Sequence, residues 1–141
     1  MKKFIIAIVA ILFATMFVSC SKMDNNYRNY DGKHYGTQFI EEGLTLTSSV
    51  SKPNSVGGVT VYLNVKNNTG RTIKYLSING DMRNIFGDNV YCEIWNSIGM
   101  PIEITGPIYD GQDITYATNN CFYNPNAKTY CINAVSITYF E

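Results

Sequence analysis

The stretch Val59-Thr-Val-Tyr-Leu-Asn-Val-Lys66, followed by Asn67-Asn-Thr-Gly70, decides the fold of this chain. Valine or leucine occupies every second position from Val59 to Val65, and polar or aromatic residues stand between them. Because successive side chains of a strand point to opposite faces, this period of two predicts a half-buried β-strand. Asn and Gly tolerate positive φ, so the run Asn67–Gly70 predicts a tight turn at the end of the strand.

Similar runs, separated by turn residues, follow on both sides. The chain after residue 20 is rich in Asn, Tyr, Thr, Ile and Val and shows no helical period, which favours strands over helices. The predicted strands are Gly43–Val50, Val59–Lys66, Arg71–Asn79, Asn89–Trp95, Pro101–Thr105, Asp113–Tyr123 and Lys128–Phe140. The neighbours Tyr75 and Leu76 predict a bulge, or burial on both faces, in the third of these. Short strands at close spacing bury their apolar sides when two sheets pack face to face. The sequence therefore predicts an all-β fold, an immunoglobulin-like β-sandwich of about seven antiparallel strands, over residues 39–141.

The N-terminus has the three-part layout of a secretory signal. Lys2 and Lys3 are charged, Phe4 to Val18 is apolar, and the small Ser19 precedes Cys20. The apolar run is about 15 residues long, shorter than the ~20 that a helix needs to span a bilayer. The segment Phe17-Val18-Ser19-Cys20 resembles the lipobox of bacterial lipoproteins, although Phe17 stands where that family usually has Leu.

This resemblance implies that residues 1–19 are a signal peptide, that cleavage precedes Cys20, and that the sulfur of Cys20 carries the lipid that anchors the protein to the membrane. Residues 20–38 are polar, Asn-rich and aperiodic, which predicts a flexible tether between the lipid and the domain. Ser21 is not the acidic residue that can retain lipoproteins in the inner membrane, so the resemblance implies an outer-membrane lipoprotein facing the periplasm or the cell surface. The alternatives are an ordinary secreted protein with an incidental cysteine and an uncleaved anchor helix.

Removal of the signal also changes the charge of the chain. Without Lys2 and Lys3, nine basic and eleven acidic residues remain, a net charge of −2. A slightly acidic chain has no basic footprint, which argues against nucleic acid as a partner. No later segment is long and apolar enough for a second membrane span.

Short motifs between residues 59 and 140 resemble those of small Ig-like domains of exported bacterial proteins, often called FxLYD-like. The matching segments are Asn67–Tyr75 (Asn-x-x-Gly-x-x-Ile-x-Tyr), Gly87–Cys92 (Gly-Asp-x-Val-x-Cys), Thr105–Gly111 (Thr-Gly-Pro-x-x-x-Gly), Phe122–Asn124 (Trp-Tyr-Asn, with Phe122 as a departure) and the last strand with Cys131, Ile132, Val135, Ile137 and Tyr139. The resemblance implies a fold and an envelope location. That family has no settled activity, so it implies no catalytic residues.

Three cysteines remain besides Cys20, and outside the cytoplasm a neighbouring pair is expected to oxidise. A hairpin turn centred on Asn126 would place Cys121 opposite Cys131, at a separation that a disulfide can bridge with some strain. The alternative pair is Cys92 and Cys131, joining two sheets across the core. A third interpretation leaves three free thiols.

Other catalytic and metal-binding patterns are weak. The only histidine, His34, lies in the tether, which disfavours Ser-His or Cys-His catalysis, and no Cys-x-x-Cys pair suggests zinc. Glu93 and Glu103 lie on neighbouring predicted strands and could pair as glycosidase carboxylates only in a deep cleft, which a small sandwich lacks. The acids Asp81, Asp88, Asp110 and Asp113 match no calcium loop, so we expect them to cap turns. We predict no enzyme activity, cofactor or metal.

Aromatic residues are the last notable feature. Most of the eleven tyrosines are expected to pack on half-buried strands. Trp95, Tyr62 and Tyr109 are predicted to be exposed and are the candidates for ligand binding. The sequence thus favours a non-enzymatic envelope lipoprotein that binds or spaces a protein or glycan ligand at the membrane surface. The alternative is a carbohydrate-binding module that uses exposed aromatics.

Overall fold

The computed structural model describes the backbone of residues 15–18 and all of residues 36–119 and 122–141. These residues form strands and turns, without a helix. The strands are β1 (Thr15–Val18), β2 (Gln38–Glu41), β3 (Leu44–Val50), β4 (Gly58–Val59), β5 (Val61–Asn67), β6 (Ile73–Arg83), β7 (Ile102–Ile108), β8 (Asp113–Thr118), β9 (Phe122–Tyr123) and β10 (Thr129–Tyr139).

Sheet A has the strand order β1-β8-β5-β3-β2. The decisive strand β5 lies at its centre and pairs antiparallel with β3 and β8, so that Val65 faces Leu46 on one side and Leu63 faces Tyr116 on the other. β1 runs parallel to β8 with Val18 opposite Thr118. It lies inside the predicted signal peptide.

Sheet B has the order β10-β6-β7 and is built on two strands of eleven residues each, β6 and β10. Bulges interrupt both of its antiparallel ladders, between Ile73 and Tyr75 in the pairing with β7 and between Ile132 and Ala134 in the pairing with β6. The first bulge confirms the irregularity that the neighbours Tyr75 and Leu76 predicted. A short ladder of β4 and β9 completes the strands.

The core lies between the two sheets, as the alternating pattern predicts. The apolar face of the β4–β5 segment is fully buried, whereas Tyr62 and Lys66 on the other face are exposed. The largest fully buried side chains are Tyr130, Phe122, Leu44, Leu46, Leu63, Ile73, Leu76, Ile78, Met82, Met100, Ile102 and Ile104. Each apolar side chain of this size stabilises the fold by about 1.5–3 kcal/mol relative to its exposed state.

Two buried polar side chains join the strands at the ends of the sandwich. Asn67 donates from Nδ2 to the carbonyl oxygens of Arg71 (2.8 Å) and Ile108 (3.0 Å), and its Oδ1 accepts from the backbone N–H of Thr69 (3.1 Å). At the other end, the hydroxyl of Tyr130 donates to the carbonyl of Met100 at 2.6 Å. Gly80 lies opposite, where any Cβ would overlap the Tyr130 ring. Buried polar groups satisfied in this way fix the positions of the elements they join.

The prediction of an all-β sandwich is confirmed, but the strand inventory differs from the predicted seven. The described residues hold ten strands, because β1 and β2 are additional, the segments Val59–Lys66 and Asp113–Tyr123 are each divided in two, and the predicted strand Asn89–Trp95 is not formed. The segment Val59–Lys66 is interrupted at Thr60, where the chain changes partners from β9 to β3 and β8. β7 continues to Ile108, through a cis Gly106–Pro107 peptide bond, beyond the predicted end of the strand at Thr105.

The predicted strand Asn89–Trp95 is wrong. Only isolated bridges hold this segment, at Asn89 to Arg83 and at Cys92 to Ser97. The side-chain oxygen of Asn84 accepts from the N–H groups of Phe86 (2.9 Å) and Asp88 (3.0 Å) and so closes a turn that ends where the predicted strand would begin. A second turn follows at once, with Asn96 at φ 50°.

The predicted hairpin around Asn126 is also wrong in its pairing. A turn is present, since the Ala127 N–H donates to the Asn124 carbonyl at 3.1 Å. Its flanking strands do not pair with each other, however: β9 pairs with β4, and β10 pairs with β6. The pairing of Phe122 with Val59, both fully buried, outweighs the local turn signal.

The domain begins slightly before its predicted start at residue 39. β2 includes Gln38, and Gly36 forms an antiparallel bridge with Ile132 of β10. These residues were assigned to the tether by their polarity. The rest of the tether, residues 20–35, lies outside the described residues, as does His34.

Candidate functional site

A groove opens on one side of the sandwich, between β2 at the edge of sheet A and β10 at the edge of sheet B. Its volume is about 270 Å³. The lining residues are Phe39, Glu41, Glu42, Val135, Ile137 and Tyr139. We call this feature the edge groove.

The floor of the edge groove comes from the second half of β10. Before the bulge, the inward residues of β10 are Tyr130 and Ile132, which are fully buried. The extra residue at the bulge reverses the alternation, so that Val135, Ile137 and Tyr139 turn inward. They pack against the core but stay only half-buried, because β2 covers them incompletely. The bulge therefore turns three consecutive inward positions into an apolar floor.

The opposite wall carries negative charge. Glu41 ends β2, and Glu42 follows in a tight turn with Gly43, both at positive φ (48° and 89°). A Cβ at Gly43 would overlap the Asn68 carbonyl, so only glycine fits there without displacing the neighbouring turn. Both glutamates are exposed. The guanidinium of Arg71 lies 4.0 Å above the centre of the Tyr139 ring, at a distance typical of a cation–π contact.

Two strands at the edges of the described sheets flank the groove. β10 is the outermost strand of sheet B and β2 that of sheet A. The first half of the outer edge of β10 is occupied, because the Ile132 N–H donates to the Gly36 carbonyl at 2.7 Å and the Ser48 hydroxyl donates to the Tyr130 carbonyl at 2.6 Å. Beyond Ile132, no described strand pairs with the outer edge of β10. An open edge above an apolar floor can accept an additional strand.

The three predicted ligand-binding aromatics are exposed, but they lie apart. Tyr62 is 39% exposed on β5 in sheet A, Tyr109 is 55% exposed after β7, and Trp95 is 50% exposed in the loop after β6. Ile108, which precedes Tyr109, pairs with Ile73 at the end of β6 opposite to Trp95. These side chains therefore do not form one flat platform, and their role in ligand binding stays a prediction.

The candidate carboxylates also occupy separate places. Glu93 lies in the second turn of the loop, and Glu103 lies on β7 opposite Ser77. Asp110 accepts from the N–H of Gly70 at 2.8 Å, as expected of a turn-capping residue, and Asp113 accepts from Asn64 Nδ2 at 2.7 Å. No cluster of three metal-binding side chains occurs among residues 36–119 and 122–141.

The prediction that Asp81 caps a turn is wrong. It lies within β6, and its side chain is buried. Its Oδ1 pairs with Arg83 Nε at 3.0 Å, and its Oδ2 accepts from Asn133 Nδ2 at 3.2 Å. Burial of a carboxylate is tolerated when a cation and hydrogen-bond donors surround it.

Two of the four cysteines, Cys92 and Cys131, lie within the described residues. Cys92 and Cys131 are not bonded to each other. Cys92 is buried, and its sulfur accepts from the N–H of Tyr123 at 3.4 Å, whereas Cys131 lies opposite Asp81 on the other face of sheet B. Burial raises the pKa of the Cys131 thiol, Arg83 lowers it by a smaller amount, and Asp81 raises it. Cys121 and the lipidation candidate Cys20 lie outside the described residues, so neither the Cys121–Cys131 pair nor the lipid site is tested.

Comparison with known proteins adds no relative. The chain matches no protein family, no curated protein and no solved structure. Within the part of the chain that the structure describes, no helix has the length and apolar character to cross a membrane.

The edge groove is the site that sequence reasoning missed. Its signal was present as the alternation Val135, Ile137 and Tyr139 in the last strand. The alternation alone could not reveal that β10 would be an outermost strand with these side chains incompletely covered.

Proposed function

We propose that the protein is a non-enzymatic lipoprotein of the cell envelope, held at the outer membrane by a lipid on Cys20, and that its domain binds an extended segment of a partner protein. The lipobox-like segment before Cys20 supports the anchor. The edge groove is the observation that carries the binding function. Cleavage before Cys20 would also remove β1 and leave β8 as an edge of sheet A.

The strand order explains why an added strand fits at β10. In the immunoglobulin layout, strand F pairs with strand C on one side and with strand G on the other. Here β6 takes the place of C and β10 that of F, and no strand of the described residues takes the position of G beside β10. A partner strand at this position would pair with the backbone of β10 and cover Val135, Ile137 and Tyr139. Strand addition of this kind derives affinity from main-chain hydrogen bonds and specificity from alternate side chains.

The lining of the groove also defines the chemistry of the partner. Apolar side chains at every second position would contact the floor, because strand side chains alternate with a period of two. A lysine or arginine near one end would face Glu41 and Glu42, whose carboxylates are exposed at the mouth. The expected partner segment is therefore extended, alternately apolar and basic at one end.

A synthetic peptide tests this proposal. We expect an acetylated peptide of alternating valine and threonine with a terminal lysine to bind the purified protein and to slow amide hydrogen exchange between Val135 and Tyr139. Ile137→Lys should weaken binding by about tenfold or more, because it places a charge on the apolar floor. The measurement is a titration of the peptide followed by hydrogen exchange and mass spectrometry.

The matched control is Thr138→Lys, which adds the same charge to the neighbouring exposed position of the same strand. This variant should bind as the unmodified protein does. Replacing the peptide's alternate threonines with proline removes backbone donors and should abolish binding. Equal weakening by both lysine variants, or unchanged binding of the proline peptide, would contradict strand addition.

A further inference from the structure

Large apolar side chains are concentrated in the loop between β6 and β7. Phe86 is 82% exposed and Ile85 is 72% exposed, and Ile94 and Trp95 are each at least half exposed. We call these four residues the loop tip. Single exposed apolar residues are ordinary, but four on one connection mark a surface that contacts something apolar.

The first turn of the loop tip is held by its own hydrogen bonds. Asn84 N–H donates to the Asp88 carbonyl at 2.9 Å, and Gly87 N–H donates to the Asn84 carbonyl at 3.1 Å. Together with the bonds to the Asn84 side chain, these contacts hold the turn in which Ile85 and Phe86 are exposed. The turn therefore displays both side chains to solvent in a defined geometry.

The second turn is anchored to the rest of the domain. Its base, Cys92, is buried, and Cys92 N–H donates to the Ser97 carbonyl at 2.8 Å. Glu93 N–H donates to the Tyr123 carbonyl at 2.8 Å, and Asn124 Nδ2 donates to the Tyr91 carbonyl at 2.9 Å. These contacts fix the backbone on both sides of Ile94 and Trp95. Pre-ordered side chains lose little conformational entropy when they are buried in a contact.

The loop tip is at the end of the domain near which the tether joins. Gly36 bridges Ile132, which pairs with Gly80 of β6. Gly80 is three residues from Arg83, where the loop begins, and seven residues from Ile73 at the far end of β6. At ~3.3 Å per residue, these separations are about 10 Å and about 23 Å.

The charges around the loop tip are mixed. Asp88 and Glu93 are exposed acids, Lys128 is an exposed base, and Arg83 is paired with Asp81. A polybasic cluster, which would indicate binding to anionic lipid headgroups, is absent from this end of the described domain. Aromatic and aliphatic side chains without a charge excess suit the interface between headgroups and acyl chains of a neutral bilayer, where Trp is enriched.

We propose that the loop tip inserts into the surface of the bilayer that holds the lipid anchor, as a second membrane contact that orients the domain. This inference rests on the proposed lipidation of Cys20. A single lipid group leaves the domain free to rotate about its tether, whereas a second apolar contact restricts it. The edge groove would then keep a constant orientation to the membrane.

The single tryptophan of the chain makes the proposal measurable, since Trp95 is in the loop tip. The experiment uses the purified lipidated protein in phosphatidylcholine vesicles, with and without bromine on the acyl chains. We expect the Trp95 emission to move to shorter wavelength, to be quenched by the brominated lipid by about half or more, and to resist iodide in the water. The signal should persist in high salt, because it does not depend on charge.

Phe86→Ser combined with Ile85→Ser should reduce the quenching by brominated lipid, whereas Tyr75→Ser, at an exposed aromatic near the far end of β6, should not. If Cys20 carries fatty acid but Trp95 stays open to iodide and untouched by brominated lipid, the membrane contact is wrong while the anchor stands. Protection of Trp95 in native membranes but not in vesicles would assign the loop tip to a protein partner. Absence of fatty acid on Cys20 would overturn the anchor proposal and the membrane contact together.

Discussion

Cys20→Ala should abolish incorporation of radioactive fatty acid into the protein. The thiol of Cys20 is the acceptor that the lipobox-like segment implies, and no other atom of the substituted residue can take its place. Because burial of an acyl chain contributes about 0.8 kcal/mol per CH₂, loss of the lipid removes the main membrane affinity. The variant should therefore leave the membrane fraction. The measurement is metabolic labelling of growing cells, followed by fractionation and autoradiography.

Cys131→Ala is the matched control, because it removes a thiol that lies within the folded domain. This variant should keep both the label and the membrane location. Label that survives in Cys20→Ala would contradict the lipoprotein proposal. Label lost equally in both variants would point to a general loss of the protein rather than to a lipid site.

Asn67→Ala should be the most destabilising polar substitution in the domain, at about 3 kcal/mol. The Asn67 side chain is fully buried and bonds the backbone of Arg71, Ile108 and Thr69, which belong to the β5–β6 turn and the end of β7. Its removal leaves buried carbonyl groups without a donor, each of which costs about 1–3 kcal/mol. Urea unfolding followed by circular dichroism measures the change in the free energy of unfolding.

The neighbour Asn68 provides the control for this substitution. It is exposed, and its contact to the Gly43 carbonyl uses the backbone N–H, which alanine retains. Asn68→Ala should therefore change the free energy of unfolding by less than about 0.5 kcal/mol. Equal stability of the two variants would show that the buried amide network does not join these elements.

The central strand was readable from sequence because a single local property determined it. The alternation from Val59 to Val65 requires one buried face, and a turn of Asn and Gly follows. Both features depend only on neighbouring residues, and both are present in the structure. The same reasoning placed the core between two sheets and predicted that Tyr62, Tyr109 and Trp95 would be exposed.

The errors arose where distant contacts overrule local pattern. The run from Asn89 to Trp95 has strand-forming residues and meets β6 at Asn89, but the Glu93 N–H then donates to the Tyr123 carbonyl at 2.8 Å, 30 residues later in the chain. The turn at Asn126 resembles a hairpin, but β9 pairs with β4, more than 60 residues earlier in the chain. Neither partner choice is encoded near the segment that it redirects.

The edge groove illustrates the same limit for the candidate site. A period of two correctly predicts that β10 has an apolar face. The bulge after Ile132 decides which residues form that face, and the order of strands decides that the face is incompletely covered. Both are properties of the assembled sandwich, so the site appears only when the sheets are in place.

Strand addition is tested most directly by supplying a strand beside the outer edge of β10. In the first version, an Asn-Gly turn and a strand of alternating valine and threonine are appended after Glu141. In the control version, the added strand is shifted by one residue so that its valines face outward. Strand addition at β10 predicts slower amide hydrogen exchange at the outer edge of β10 and about 2 kcal/mol of added stability, which raises Tm by roughly 10 °C, for the first version alone. Identical exchange and Tm for the two versions would contradict the claim that the edge groove is a strand-binding site.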